Sequence, residues 1–251
     1  MVSKINKFLT LSDLDNTLQK QYRSAIEAAF PPITQHSKII QTYWDSIEKN
    51  FPETQLFLVD PNHQLIGFFN TIPFYWDSPL VDLPDEGWDW MVKKGIQDFE
   101  TNQQPNALGG LQVIITNAFL GQGFSKIIIA EGKKRLPNFG LSQLIIPIRP
   151  TFKNMFPKME MKEYMRFKKD GKIFDPWIRT HLKGGAEIIK VCGNSMNVKG
   201  DLDFWEKLIG QKLTTSGMYQ VDGALNLVQI NVEKQTGEYR EDNIWIYYPD
   251  F

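Results

Sequence analysis

The sequence predicts an α+β protein with a mixed sheet, and three observations carry this prediction. Apolar residues recur at helical spacing in residues 12–30 and 37–50. β-rich runs flank turn sequences within 56–71 and 225–248, which is the pattern of antiparallel hairpins. A strand, a loop with two glycines, a helix and a second strand follow one another across 111–146. Helices and strands arranged in this way are typical of α+β folds.

The N-terminal part of the chain predicts two helices and a hairpin. The first helix spans residues 12–30, with Ser12 as its N-cap and Pro31-Pro32 as its end. The second helix spans 37–50, with its apolar residues on one face. The hairpin that follows has strands at 56–59 and 64–71 around a turn at 60–63, and an irregular segment with several prolines and acids occupies 72–87.

The rest of the chain alternates between helical and strand patterns. Its predicted helices are Trp88–Thr101, Gly123–Leu136, Glu160–Lys168, Asp175–Lys183 and Leu202–Ile209. Its predicted strands are Leu108–Thr116, Leu141–Ile148, Ala186–Val191, and the pair Leu225–Glu233 and Asn243–Tyr248 around a turn at 235–237.

Composition limits the classes of protein that this chain can represent. With 28 Lys+Arg against 29 Asp+Glu in 251 residues, the chain has no global basic field to attract nucleic acid or an anionic membrane. The single cysteine, Cys192, excludes an intrachain disulfide and suits a reducing compartment. Residues 1–10 contain no apolar signal-peptide core, and no apolar run approaches the roughly 20 residues of a membrane span. We therefore expect a cytoplasmic protein that binds neither nucleic acid nor membrane.

The loop between the strand and the helix at 111–136 has the features of an anion site. Gly121 and Gly123 let backbone N–H groups point into one concavity without Cβ clashes. The N-terminus of the following helix adds about half a positive charge. A pyrophosphate is the natural ligand of such a site.

Two well-known phosphate loops do not fit this sequence. A Walker loop ends in Gly-Lys-Ser/Thr, but Gly123 is followed by Phe124. The dinucleotide fingerprint requires a third glycine at position 126, which is Lys126.

The run Phe119-Leu120-Gly121-Gln122-Gly123-Phe124-Ser125 resembles the coenzyme A motif of the GNAT superfamily of N-acetyltransferases. Leu120 stands where that motif usually has Gln or Arg, and Ser125 stands where it has a second Gly or Ala. The resemblance implies acetyl-CoA as co-substrate, with its phosphates held by backbone amides. The implied cofactor-binding residues of the loop are Leu120, Gly121, Gln122, Gly123, Phe124 and Ser125.

The resemblance also implies a fold. GNAT proteins have a three-layer architecture in which a mixed, mostly antiparallel sheet contains a splayed pair of strands and carries helices on both faces. The match covers residues 105–148, and more loosely 56–71 and 175–192. We expect one GNAT-like domain over 1–251, with insertions at about 72–104 and 149–174 and a C-terminal extension from about 193.

The chemistry implied by the resemblance is direct transfer of an acetyl group to an amine. A backbone N–H of Val113, Ile114 or Ile115 would bond the thioester oxygen, and oriented donors of this kind stabilise developing charge. His181 stands where the superfamily has a tyrosine that protonates the departing thiolate. A general base would come from Asp77, Asp82, Asp85, Glu86 or water.

Two groups of residues are candidates for binding the acceptor. Trp76 and Asp77 lie in a segment where aromatic residues and carboxylates interleave, which suits a cationic amine. Arg149 and Lys153 follow the predicted splayed strand and would bind an acidic group on the substrate or the 3′-phosphate of the coenzyme.

Three functions fit these residues. The first is an acetyltransferase acting on a small-molecule amine, the second a non-catalytic acyl-CoA-binding or regulatory module, and the third an enzyme that uses the loop for another phosphate, such as a nucleotide. No His/Cys/Asp cluster has metal-ligand spacing and no Gly-x-Ser-x-Gly is present, so we expect no metal and no covalent nucleophile. The C-terminal hairpin, with residues 245–248, would complete the sheet or contact a second copy in a homodimer.

Overall fold

The computed structural model describes residues 6–249 and contains one large mixed sheet. The order of its strands is β1-β2-β3-β4-β5-β11-β10-β9, and β8 also pairs with β11; β6 and β7 form a separate small hairpin. The strands are β1 (Lys7–Thr10), β2 (Leu56–Val59), β3 (Leu65–Phe74), β4 (Ala107–Ile115), β5 (Gln143–Ile148), β6 (Lys168–Lys169), β7 (Lys172–Ile173), β8 (Glu187–Asp201), β9 (Gly217–Tyr219), β10 (Val228–Asn231) and β11 (Thr236–Tyr248).

Helices cover both faces of the sheet, because successive strand residues alternate between two apolar cores. On one face Ile146 and Ile148 join a cluster with the helices at 124–135, 161–164 and 176–183. On the other face Ile145 and Trp245 join a cluster with the helices at 38–50 and 87–100. A third cluster packs the helix at 16–29 against this second face, around Phe57, Phe68 and Ile114. The helices are α1 (Asn16–Ala29), α2 (Pro32–Gln35), α3 (Lys38–Asn50), α4 (Gly87–Glu100), α5 (Phe124–Arg135), α6 (Met161–Tyr164), α7 (Pro176–Lys183) and α8 (Leu202–Ile209).

The pairing within the sheet matches the predicted architecture. β4 and β5 are parallel, whereas the other pairs of neighbouring strands that the structure describes are antiparallel. A mixed, mostly antiparallel sheet with helices on both faces is therefore confirmed.

Two predictions about helix ends are wrong in detail. The cap of α1 is Asp15, whose carboxylate accepts from the amides of Thr17 and Leu18, and Ser12 instead bonds Glu53. The predicted helix 160–168 stops at Tyr164, because the following chain turns at Asp170-Gly171 with positive φ at both residues and forms the β6–β7 hairpin.

The strand predicted at 186–191 is much longer than its apolar run. β8 spans Glu187–Asp201, although its second half contains glycines and polar residues. Its pairing with β11 supplies the backbone hydrogen bonds, with an irregularity opposite Glu241–Asn243. Tertiary pairing therefore determines this element more than local propensity does.

The C-terminal residues lie inside the sheet. β11 pairs with β5 and β10 along one edge and with β8 along the other, and Trp245, Ile246 and Tyr248 are buried. Of the two locations predicted for residues 245–248, the structure has them completing the sheet. The segment predicted as an extension from about 193 thus contributes a central strand.

Candidate active site

The feature that creates the candidate site is the separation of β4 from β5. The two strands pair only at Ala107↔Gln143, Leu108↔Leu144 and Gly109↔Ile145, although β4 continues to Ile115 and β5 to Ile148. The predicted splayed pair is therefore present. A cleft of about 1440 Å³ opens between the diverging ends, and residues of α1, α3, α4 and α7 complete its walls.

Backbone amides of β4 face this opening. The amide of Thr116 donates to the Ile66 carbonyl at 3.0 Å and thereby fixes which residues of β4 bond to β3. In an antiparallel ladder alternate residues turn their N–H groups to the same neighbour, so Ile114 points toward β3 while Val113 and Ile115 point away from it. Of the three amides predicted for the thioester oxygen, Val113 and Ile115 face the space that β5 has left.

A β-bulge marks the start of the separation. Asn70 pairs with Gln112 but Thr71 pairs with Gly110, so Leu111 has no direct partner on β3. The Leu111 carbonyl instead accepts a hydrogen bond from the indole N–H of Trp88 on α4, at 2.9 Å. Trp88 thus ties α4 to the point where the cleft begins, and bulges commonly re-aim strands beside functional sites.

The loop after β4 has the backbone geometry of an anion cradle. Gly121 and Gly123 have φ of +75° and +82°, which L side chains rarely adopt. A Cβ added at either position would meet nothing within 4 Å, so both glycines border open space. These conformations place the loop at the N-terminus of α5. Leu120, Gly121, Gly123, Phe124 and Ser125 line the cleft, whereas Gln122 is not among the described residues that do so.

The amides of residues 121–125 are available to a ligand. The N–H of Leu120 is partly engaged, at 3.4 Å from the Asn117 carbonyl, and the first amide of α5 with a backbone partner is Lys126. The amides between them make no hydrogen bond within residues 6–249. The first turn of α5 contains no acid, and Lys20 and Lys126 line the cleft nearby, so the local charge favours an anion.

A buried polar network forms the wall across the opening from this loop. Nε of Arg149 donates to both carboxylate oxygens of Glu241, at 3.0 and 3.1 Å, and its Nη2 donates to the Gly223 carbonyl at 2.7 Å. Glu241 also accepts from Tyr239 Oη at 2.7 Å and from Asn243 Nδ2 at 3.2 Å. Arg149 and Asn243 line the cleft.

Three other predicted acceptor residues, Lys153, Trp76 and Asp77, lie outside the lining of the cleft. Lys153 is fully buried, and its ammonium donates to the carbonyls of Phe156 and Leu225 at 3.0 and 2.8 Å. Its position contradicts the predicted contact with a substrate or with the 3′-phosphate. Trp76 packs in the aromatic group around Trp90, and Asp77 is exposed; neither is among the described residues that line the cleft.

His181 lies in the core behind the cleft wall. It is 1% exposed, its Nδ1 is 2.8 Å from Tyr248 Oη, and its ring contacts Trp177. Burial lowers the pKa of His181 to about 3, so the imidazole is neutral at physiological pH. Of the residues on α7 that the structure describes, Trp177 and Thr180 line the cleft, and His181 does not.

Asp89 is a buried acid that the sequence did not single out. It lies in the first turn of α4, next to Trp88, and its Oδ1 has no hydrogen-bond partner among the described residues. Burial, with a smaller contribution from Glu241, raises the pKa of Asp89 to about 7. Its position inside a strand-and-helix packing, remote in sequence from Glu241, explains why pattern alone does not reveal it.

Residues 6–249 contain no group of three or more His, Cys, Asp or Glu side chains that could hold a metal ion. None of the helices in this range is long and apolar enough to cross a membrane.

The chain is similar to a known protein in sequence and to solved structures in fold. No protein-family profile matches the chain. The chain is 26% identical over 252 residues to the arginine N-acetyltransferase avaD of Aspergillus versicolor. The alignment covers 89% of this chain and 86% of the relative. Its fold matches the loading GNATL domain of CurA from Lyngbya majuscula with a TM-score of 0.58, 13% identity and 98% coverage of both chains. It also matches the GphF GNAT-like decarboxylase in complex with isobutyryl-CoA, with a TM-score of 0.60, 10% identity and 98% coverage of both.

These comparisons confirm the resemblance predicted from the loop. The two structures establish a GNAT-like fold, and the sequence relative is an arginine N-acetyltransferase.

The loop can be tested with two glycines that have the same backbone conformation. Gly123→Glu places a carboxylate in the cradle and should weaken acetyl-CoA binding by roughly 100-fold, about 2.7 kcal/mol, in isothermal titration calorimetry. Gly140→Glu is the matched control, because Gly140 also has a positive φ, +69°, and open space around it but lies outside the cleft. Equal affinity of both variants would contradict the placement of the phosphates.

Asp89 predicts a pH-dependent difference in stability. The raised pKa means that ionisation of the buried carboxyl destabilises the folded state. This ionisation penalty is absent well below pH 3.8, where Asp89 is protonated in both the folded and the unfolded protein, and it reaches its full value above about pH 7. The full cost corresponds to roughly 4 kcal/mol. The variant Asp89→Asn should therefore gain stability over the parent protein as pH rises from about 5 to 8, in urea unfolding. A constant difference across this range would show that Asp89 is ionised at an ordinary pKa.

Proposed function

We propose that this protein is an acetyl-CoA-dependent N-acetyltransferase whose acceptor is a small cationic amine, with arginine as the first candidate. One observation carries the proposal: residues of the glycine loop and of β4 with free amides line the same cleft, namely Gly121, Gly123, Phe124 and Ser125 with Val113 and Ile115. The first set suits a pyrophosphate, and the second suits a carbonyl oxygen that gains negative charge. The volume of about 1440 Å³ leaves room for a second ligand beside the coenzyme.

In the proposed reaction the chain acts mainly by binding and orienting. The phosphates lie on the amides of 121–125, and the pantetheine arm runs through the gap between β4 and β5. The amine nitrogen attacks the thioester carbon, its N–C bond forms as the C–S bond breaks, and the sulfur leaves as thiolate. The Val113 or Ile115 amide donates to the thioester oxygen during attack, and one such donor contributes about 3 kcal/mol.

The proton that the amine loses requires an acceptor. Asp77, Asp82, Asp85 and Glu86 are outside the group of described residues that line the cleft, which weighs against the base predicted from that segment. Among the described lining residues, Glu27 on α1 is the one carboxylate. We assign proton removal to water in the cleft or to Glu27.

The choice of a cationic acceptor rests on the relative and on the walls of the cleft. The relative in Aspergillus versicolor is an arginine N-acetyltransferase. Trp44, Trp88 and Trp177 line the cleft, and aromatic faces attract ammonium and guanidinium groups. Glu27 adds a negative charge at the same surface.

The role of His181 as general acid stays a prediction. A thiol has a pKa of about 8.5, so the thiolate leaves readily and the step needs little acid assistance. The burial of His181 and its place behind Trp177 and Thr180 favour a structural role over proton donation.

A variant pair separates these two roles of His181. The change Tyr248→Phe removes the hydrogen bond to Nδ1 and keeps the imidazole, whereas His181→Gln removes the imidazole itself. If the role is structural, both variants should lose about 1 kcal/mol of stability and keep turnover within about threefold. A turnover loss of roughly 100-fold in His181→Gln alone, with unchanged affinity for acetyl-CoA, would establish the acid role instead.

The proposed function itself is tested by release of free thiol from acetyl-CoA in the presence of different amines. We expect release with arginine or another small cationic amine, and an acetylated product in mass spectrometry. Binding of acetyl-CoA without thiol release for any amine would favour the non-catalytic acyl-CoA module. Binding of ATP but not of CoA would contradict both the acetyltransferase and the acyl-CoA-module hypotheses.

A further inference from the structure

One side chain at the acceptor side of the cleft has hydrogen-bonding capacity that the fold does not use. Arg149 follows the last residue of β5 and lines the cleft. Its Nε and one N–H of Nη2 are occupied by Glu241 and the Gly223 carbonyl. Nη1 makes no hydrogen bond within the part of the chain that the structure describes. One edge of the guanidinium, formed by Nη1 and the second N–H of Nη2, is therefore available.

The available edge faces the cleft. The side chain of Arg149 is 25% exposed, whereas that of Glu241 is 1% exposed. Arg149 lines the cleft, and its contacts with Glu241 and the Gly223 carbonyl use Nε and Nη2, so the side of the guanidinium that carries Nη1 is the one left for a ligand there.

Glu241 holds this edge in a fixed direction. Its carboxylate accepts from Arg149, Tyr239 and Asn243, and Tyr239 Oη in turn accepts from the Leu225 amide at 2.9 Å. A guanidinium fixed in this way loses little further conformational freedom when it binds a planar anion. Carboxylates are the anions that match two parallel N–H groups.

The same network places Arg149 on the side of the sheet opposite the phosphate loop. Asn243 accepts from Ser195 Oγ at 2.6 Å, and Ser195 Oγ accepts from the amide of Trp88 at 2.8 Å, in the first turn of α4. The phosphate loop instead leads into α5, which packs on the other face. The coenzyme phosphates and Arg149 thus approach the gap between β4 and β5 from different sides.

The charges around Arg149 leave it attractive to an anion. Lys153 lies near enough to Glu241 and Asp242 for their charges to raise its pKa, while its burial lowers that pKa overall. The negative charge of Glu241 is therefore shared between two cations. Burial also raises the pKa of Asp242 above its ordinary value.

We propose that Arg149 binds the carboxylate of the acceptor, so that the acceptor is an amino acid and its carboxylate is a requirement of recognition. This inference rests on the proposed function. Glu241 is a positioning residue, because it acts on the substrate through Arg149.

The experiment compares amino acids with the amines that result from their decarboxylation. The pairs are arginine and agmatine, lysine and cadaverine, and ornithine and putrescine, each assayed by thiol release from acetyl-CoA. For the parent protein we expect kcat/KM to be roughly 10- to 100-fold higher for the accepted amino acid than for its decarboxylated partner. Equal values within a pair would overturn the inference and leave the proposed function standing.

Variants connect this preference to Arg149. Arg149→Gln should lower kcat/KM for the amino acid by roughly 10- to 100-fold and leave that for the decarboxylated amine within about threefold. Arg240→Gln is the matched control, because Arg240 is exposed, pairs with Glu238 on the surface and does not line the cleft among the described residues. Loss of the preference in both variants would overturn the assignment.

A final arm separates the acceptor carboxylate from the 3′-phosphate of the coenzyme. The ratio of affinities for CoA and 3′-dephospho-CoA should be the same in Arg149→Gln and in the parent protein. A ratio that falls toward one in the variant would assign Arg149 to the coenzyme and overturn the inference. If no amine of any pair releases thiol while acetyl-CoA binds, the proposed function fails, and the inference fails with it.

Discussion

The parting of β4 from β5 is the constraint on which the rest of the site depends. Two parallel strands that stop pairing leave a row of backbone N–H groups without partners, which is costly in a buried position. Here the row opens into a cleft, and the unpaired amides of Val113 and Ile115 are the result. The bulge at Leu111, held by the indole of Trp88, lies where the strands begin to separate. The loop 121–125 then adds a second set of open amides at the C-terminal end of β4.

In the proposed function, the cofactor and the acceptor approach the gap between β4 and β5 from opposite faces of the sheet. The phosphate loop continues into α5 on one face, where apolar residues of β5 pack against the same helix layer. The network of Arg149, Glu241 and Asn243 reaches α4 on the other face. The donors and acceptors of this network hydrogen-bond to one another, so the wall is rigid, while one edge of the Arg149 guanidinium is left without a partner among the described residues. This arrangement explains how one gap in a sheet can serve two ligands.

Sequence reasoning succeeded where the signal is local. The run of β4, the two glycines with positive φ and the start of α5 all lie within residues 107–135, and they predict the loop and the strand–loop–helix unit. Long-range features were missed or misplaced. Arg149 and Glu241 are 92 residues apart in sequence, and only the pairing of β5 with β11 brings them together. Lys153 has the residue type of a phosphate ligand, but loop packing buries its ammonium against two carbonyls. The role of His181 as general acid stays a prediction, and its burial against Tyr248, 67 residues further along the chain, is a contact that no local pattern indicates.

The most direct test of the account is residue-level hydrogen exchange of the backbone amides, measured by NMR with and without acetyl-CoA. Without ligand, the Val113 and Ile115 amides should exchange faster than the Ile114 amide, which faces β3. On addition of acetyl-CoA, Val113 or Ile115 and the amides of 121–125 should gain protection, while Ile114 changes little. Protection that appears elsewhere in the protein and leaves both sets of amides unchanged would contradict the assignment of this cleft to the acyl-coenzyme.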